Sequence, residues 1–96
     1  MQRDVFFTEK ANDTFESIGL QIRARWGEKE QKEFRKRTYK VAETISQFPF
    51  IFQAMENTGN VRKAFIHRNC SMFYEIKPTS IEILFFWDNR QDPIFL

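Results

Sequence analysis

A chain of 96 residues that carries 12 Phe, 2 Trp and 2 Tyr is read as one domain, 1–96, whose small core must be packed densely with aromatic rings. Its hydrophobic fraction of 42% excludes disorder, and a net charge of only +2 gives no reason of its own to expect nucleic acid. A single cysteine, Cys70, excludes an internal disulfide, and neither a signal-peptide run nor a membrane-length apolar stretch occurs, so a cytoplasmic protein without membrane contact is expected.

The chain opens on a short strand, Asp4–Phe7 (DVFF), followed by Thr8 as a helix N-cap with Glu9 in the first turn, where the helix dipole favours an acid. Ala11, Phe15, Ile18, Ile22 and Trp26 then recur at spacings of four, three, four and four, one face of a helix over Thr8–Trp26. Leu20 points away from that stripe. Arg23 and Arg25 suit the helix end, and Gly27 can close it with a left-handed residue. A second helix is predicted over Glu28–Gln47. Phe34, Val41 and Phe48 repeat every seven residues, with Thr38 and Ile45 between them, as in a coiled-coil seam. Two amphipathic helices separated only by Gly27 must fold back as an antiparallel hairpin. Lys29, Lys32, Lys36 and Lys40 form an exposed row, read as a solvated face with Glu28–Lys32 and Glu33–Arg37 pairs.

Pro49 ends the second helix. The segment FPFIFQAMENTGN decays from apolar to polar, with Asn57, Gly59 and Asn60 as turn residues. Three strands follow, Val61–His67, Ser71–Lys77 and Ile81–Trp87, joined by RNC and PTS at hairpin length. Along the second of them Met72, Tyr74 and Ile76 take one face, and Phe73, Glu75 and Lys77 the other. Along the last, Ile81, Ile83, Phe85 and Trp87 alternate with Glu82, Leu84, Phe86 and Asp88. The last strand is apolar on both faces after Glu82, which suits an interior position. The fold class is α+β, in the order β-α-α-β-β-β, with the helical hairpin packed on an antiparallel sheet. Beyond that strand lies a charged hook: Arg90 between Asp88 and Asp92, each able to accept a charge-assisted hydrogen bond, then Pro93 and a final Leu96. No Cys/His spacing suggests a metal, no Gly-rich loop a nucleotide, and no G-x-S-x-G a hydrolase nucleophile, so no cofactor is expected.

The layout, with RKAFI (Arg62–Ile66), YEI (Tyr74–Ile76) and IEILFFWDNRQDPIFL (Ile81–Leu96), resembles the RelE/ParE superfamily of bacterial type II toxin–antitoxin toxins, on its ParE-like side. The resemblance covers the whole chain. Where relatives often carry histidine, this chain has Trp87. It implies a plasmid-stabilisation type toxin that inhibits growth and is neutralised by a cognate antitoxin. ParE-like members act by protein contact with DNA gyrase, and Arg62, Lys63, Asp88, Arg90 and Asp92 are the candidate target contacts. RelE-like members instead cleave messenger RNA on the ribosome without metal. That chemistry needs a base, cations for the phosphorane and an acid, for which Arg62, Lys63, His67, Tyr74 and Arg90 are the candidates. The RNA-cleaving branch commonly places an acid/base group near the C-terminus, and here only Asp88, Arg90, Gln91, Asp92 and Phe95 follow Trp87. A non-toxic binding domain of the same fold is the third reading. The antitoxin is expected on Leu20, Phe50 and Phe52, apolar residues that the intramolecular pattern leaves unexplained, and on Lys32 and Lys36 of the basic row, which would suit an acidic partner. No sequence-specific DNA binding is expected of the toxin alone.

Overall fold

The structure, a computed structural model, describes residues 2–56 and 58–91. In chain order it consists of β1 (Asp4–Phe7), α1 (Glu9–Trp26), α2 (Glu28–Gln47), β2 (Val61–His67), β3 (Cys70–Ile76) and β4 (Ser80–Asp88). Asn57, expected in a turn, and Asp92, Pro93, Phe95 and Leu96 of the terminal hook lie outside the described residues.

Thr8 caps α1 as expected: its extended backbone turns the Oγ1 atom to accept the Ala11 N–H at 3.0 Å. At the other end Gly27 takes a φ of 98°, a region that a side chain would strain, and its N–H donates to the Arg23 carbonyl. One residue thus reverses the chain, and α2 runs back antiparallel along α1. The buried stripe Ala11, Phe15, Ile18 and Ile22 meets Phe34, Ala42 and Ile45, with the Phe15 and Phe34 rings 5.2 Å apart. The seven-residue seam does not run to its end. Phe34, Thr38 and Ile45 are buried, but Val41 is only partly so, Ala42 takes its place in the core, and Phe48 is exposed. An unsupercoiled helix drifts from a seven-residue repeat, and α2 has closed by Gln47, so Phe48 is a cap residue outside it.

The sheet order is β1-β4-β3-β2. β2, β3 and β4 form the expected antiparallel meander, whereas β1 joins β4 in parallel, so the sheet is mixed rather than wholly antiparallel. β4 is interior, as its two apolar faces require. Two bulges set which side chains face the helices. In β4, Tyr74 pairs with Ile83 but Phe73 pairs with Phe85, leaving Leu84 as an extra residue. Ile81, Ile83, Phe86 and Asp88 therefore face the helices, while Phe85 and Trp87 face away. This corrects the strict alternation read from the sequence. In β2, Phe65 pairs with Ser71 and His67 with Cys70, leaving Ile66 unpaired. The core beneath the helices contains Ala64, Ile66, Cys70, Met72, Tyr74, Ile76, Ile81, Ile83 and Phe86. No helix among the described residues is long and apolar enough to cross a membrane.

Candidate functional site: the open face of the sheet

The strand period of two, reset at the bulges, sorts the candidate residues onto opposite sides of one sheet. Arg62 pairs with Tyr74, and His67 with Cys70; these four share the helix-covered face. Lys63 pairs with Phe73 and Phe65 with Ser71, and these share the open face. Across β4 this face continues with Trp87 opposite Ser71 and Phe85 opposite Phe73; Ser71, Phe73 and Phe85 are themselves buried, so what the face presents to solvent is Lys63, Phe65 and Trp87. The Phe73 and Phe85 rings stack 4.8 Å apart, and Lys10 lies over Phe85 at 4.9 Å. Phe65 is 63% exposed, with Lys63 Nζ 5.2 Å above its ring.

Between these residues lies a shallow cavity of about 310 Å³, lined by Met55, Lys63, Phe65, Arg68, Phe73 and Trp87, with Asn89 and Gln91 at its rim. Ser71 Oγ donates to Asn89 Oδ1 at 2.9 Å and holds that rim to the strand. At the far end of the same face Lys77 bridges Glu75 and Glu82 at 3.4 and 3.8 Å. The face is therefore polarised, with cations and aromatic rings beside the β2–β3 turn and carboxylates at the opposite end. Glu75 and Glu82 are already held by Lys77, and no histidine or tyrosine among the described residues lines the cavity.

The other candidates are engaged elsewhere. Arg62 Nη1 donates to the Phe52 carbonyl at 2.6 Å, and the guanidinium stacks 5.0 Å from the Phe50 ring. His67 Nε2 lies 3.4 Å from Glu30 Oε2 on α2 and packs against the Trp26 ring. Tyr74 is fully buried, and its hydroxyl donates to the Pro49 carbonyl at 2.8 Å. Burial pushes its pKa from 10.0 to about 12, against the attraction of the Arg62 charge. Cys70 is buried, and desolvation, with the Asp88 carboxylate across the ladder, lifts its thiol from 9.0 to about 12. It is therefore no nucleophile at neutral pH.

The hook forms in part. Asp88 accepts from Arg90 Nε at 3.0 Å and from Nη2 at 2.6 Å, a bidentate pair beside Gln21 of α1. Arg90 thus lies on the helix side of the sheet, away from Lys63, and Asp92 lies outside the described residues. Arg62, Lys63 and Arg90 do not form one basic site.

Of the expected antitoxin contacts, Leu20 and Phe50 are exposed, as are Lys32 and Lys36. Phe52 is not a surplus apolar residue: it packs edge-on to Tyr74 at 6.5 Å and against the core. Glu28–Lys32 forms at 3.7 Å. The second expected pair, Glu33–Arg37, is not among the ion pairs of the described residues; Arg35 instead reaches Glu16 of α1 at 3.5 Å. Sequence reasoning missed Phe65 and Trp87 as site residues. The alternation of Lys63 with Phe65 was a usable signal for the first; for Trp87 the bulge at Leu84 hid the face.

No family model matches the sequence, and no curated protein matches it. Solved structures do. A structure described as the chromosomal ParDE toxin–antitoxin system of P. aeruginosa superposes with a TM-score of 0.73 at 16% identity, covering 91% of this chain and 96% of that one. The E. coli DinJ–YafQ toxin–antitoxin complex superposes with a TM-score of 0.62 at 8% identity, covering 94% and 96%. The YoeB dimer of Staphylococcus aureus does so with a TM-score of 0.62 at 11% identity, covering 91% and 97%. The chain is similar to these over nearly its full length and theirs, and it has the RelE/ParE-like fold.

Proposed function

We propose that this chain of RelE/ParE fold is the toxin of a type II toxin–antitoxin pair, that it inhibits growth by gripping a protein target, DNA gyrase being the candidate, with the open face of its sheet, and that a cognate antitoxin neutralises it. One observation carries the choice of mechanism. His67 and Tyr74, the side chains that could move protons in RNA cleavage, are on the covered face, while the open face presents Lys63 beside Phe65 and Trp87, with Arg68 at its edge and its guanidinium over the Trp26 ring. Aromatic rings with a flanking cation are the composition of a protein-binding hot spot. General acid–base catalysis needs a proton-transfer group within hydrogen-bond reach of the substrate, and among the described residues the cavity lining offers only Lys63 for that role. Full-length likeness to structures described as toxin–antitoxin systems supports the toxin role.

The same rings and cations could stack and neutralise a single RNA strand, so ribosome-dependent cleavage is the second reading. Induced expression in a bacterial host, followed in parallel by growth, transcript mapping and trapping of gyrase–DNA complexes, tests both. Arrest with stalled gyrase complexes and intact transcripts is the expected result. Arrest with cleaved transcripts would replace it by the nuclease reading, and unimpaired growth by the non-toxic binding domain.

A further inference from the structure

We propose that the tip of the α2–β2 connection is a docking site for an acidic segment of a partner protein that carries apolar anchor residues. This rests on the toxin–antitoxin reading and assigns the partner's contact to a surface separate from the open face. Phe48, Phe50 and Ile51 are 62%, 60% and 59% exposed within four residues, a concentration of bare apolar surface that a small water-exposed domain rarely leaves uncovered. Pro49 between them is buried and its carbonyl is held by Tyr74, so the tip is fixed rather than free to collapse onto the core.

The charge around the tip says what covers it. Arg62 is half-buried beside the Phe50 ring; its hydrogen bonds go to the Phe50 and Phe52 carbonyls, and its buried Nε has no partner. No carboxylate among the described residues pairs with it, and none pairs with Lys36 near the middle of α2 or with Lys40 nearer its C-terminal end. Lys40 and Phe48 line one groove, which runs along α2 into the apolar tip. A segment with apolar residues at the tip and carboxylates toward Arg62 and Lys40 satisfies both features, and its approach would be steered by charge. Glu43 shares the groove with Lys40. A plane of anionic lipid headgroups would meet that carboxylate, whereas a peptide can pass beside it. Leu20 is a second, distant contact at most: from Lys32, near its end of the hairpin, to Phe48 is sixteen residues, about 24 Å of helix.

The test uses the full chain and the product of the adjacent reading frame, with affinity measured by titration calorimetry at low and high salt. Phe50→Asp combined with Ile51→Asp, and separately Lys40→Glu, are expected to weaken the complex about 10-fold or more, with the far-UV circular dichroism unchanged. Raised salt is expected to weaken the wild-type complex more than that of Lys40→Glu. A complex that forms with wild-type affinity in both variants overturns the docking site and leaves the toxin–antitoxin reading standing. Absence of any wild-type complex overturns both. Binding of the wild-type chain to phosphatidylserine vesicles, abolished by Phe50→Asp and seen without any protein complex, would also overturn it in favour of a lipid surface.

Discussion

Tyr74 shows how one side chain can look chemically available in the sequence and be committed in the fold. Its ring lies in the core against Phe52, and its hydroxyl ties the Pro49 carbonyl to the middle of the sheet. Tyr74→Phe leaves that buried carbonyl without its donor, and a loss of about 1–2 kcal/mol is expected, measured by urea unfolding. Tyr74 and Cys70 also make stability fall at alkaline pH. Both are acids whose pKa is higher folded than unfolded, at about 12 against 10.0 and 9.0. Their contribution is complete below the unfolded values and declines as pH rises from about 9 toward 12. Thermal melts across that range are expected to fall, and Tyr74→Phe is expected to fall less steeply. For Cys70, burial keeps the thiol protonated far above the pH at which a free cysteine ionises. Alkylation of the native chain is expected to be much slower than that of a free cysteine and to become fast only in denaturant.

At the scale of elements, the turn between the helices and the two bulges decide the architecture. Gly27 carries the reversal on a single residue of positive φ, and a Cβ there would meet nothing within 4 Å. Gly27→Ala is therefore a pure backbone test: with ψ at 174° the residue sits in an extended positive-φ region that only glycine readily adopts, and a loss of about 1–3 kcal/mol in unfolding free energy is expected. The bulge at Leu84 is held from the helix side. Thr8 Oγ1 donates to the Leu84 carbonyl at 2.7 Å, and the Phe86 N–H donates to Thr14 Oγ1 at 2.8 Å. α1 thus takes up the edge of β4 beyond the end of β1, whose pairing stops at Ile83. This is what turns Phe85 and Trp87 onto the open face and seats Phe86 in the core.

Across the whole molecule, the sheet separates two surfaces: the open face with Lys63, Phe65 and Trp87, and the helix side with α2 and the tip at Phe48–Ile51. If target contact is made by the open face, Trp87→Ala and Lys63→Glu are expected to relieve growth arrest in a folded, equally abundant protein. His67→Ala, on the covered face against Glu30 and Trp26, is expected to leave arrest intact apart from a small loss of stability. Arrest lost in His67→Ala at unchanged abundance would return the proton-transfer chemistry to consideration and sink the assignment to the open face.

The sequence by itself determined the helices, their reversal at Gly27 and the three meander strands to within a residue or so. Those depend on signals that neighbours along the chain carry: the Thr8 cap, the stripe from Ala11 to Ile22, the glycine, and the runs between short polar turns. It also determined that Arg62 and Lys63 are adjacent in a strand, which already implies opposite faces. Only the tertiary structure decided the rest. Whether β1 joins β4 in parallel depends on which strand edge the meander leaves open. The extra residues at Leu84 and Ile66 depend on cross-strand register and, for Leu84, on Thr8 and Thr14, threonines some seventy residues away. A bulge is a choice between nearly equal pairings that distant hydrogen bonds tip. Its one-residue shift moves His67 away from Lys63 and Phe65, and brings Phe85 and Trp87 to the open face.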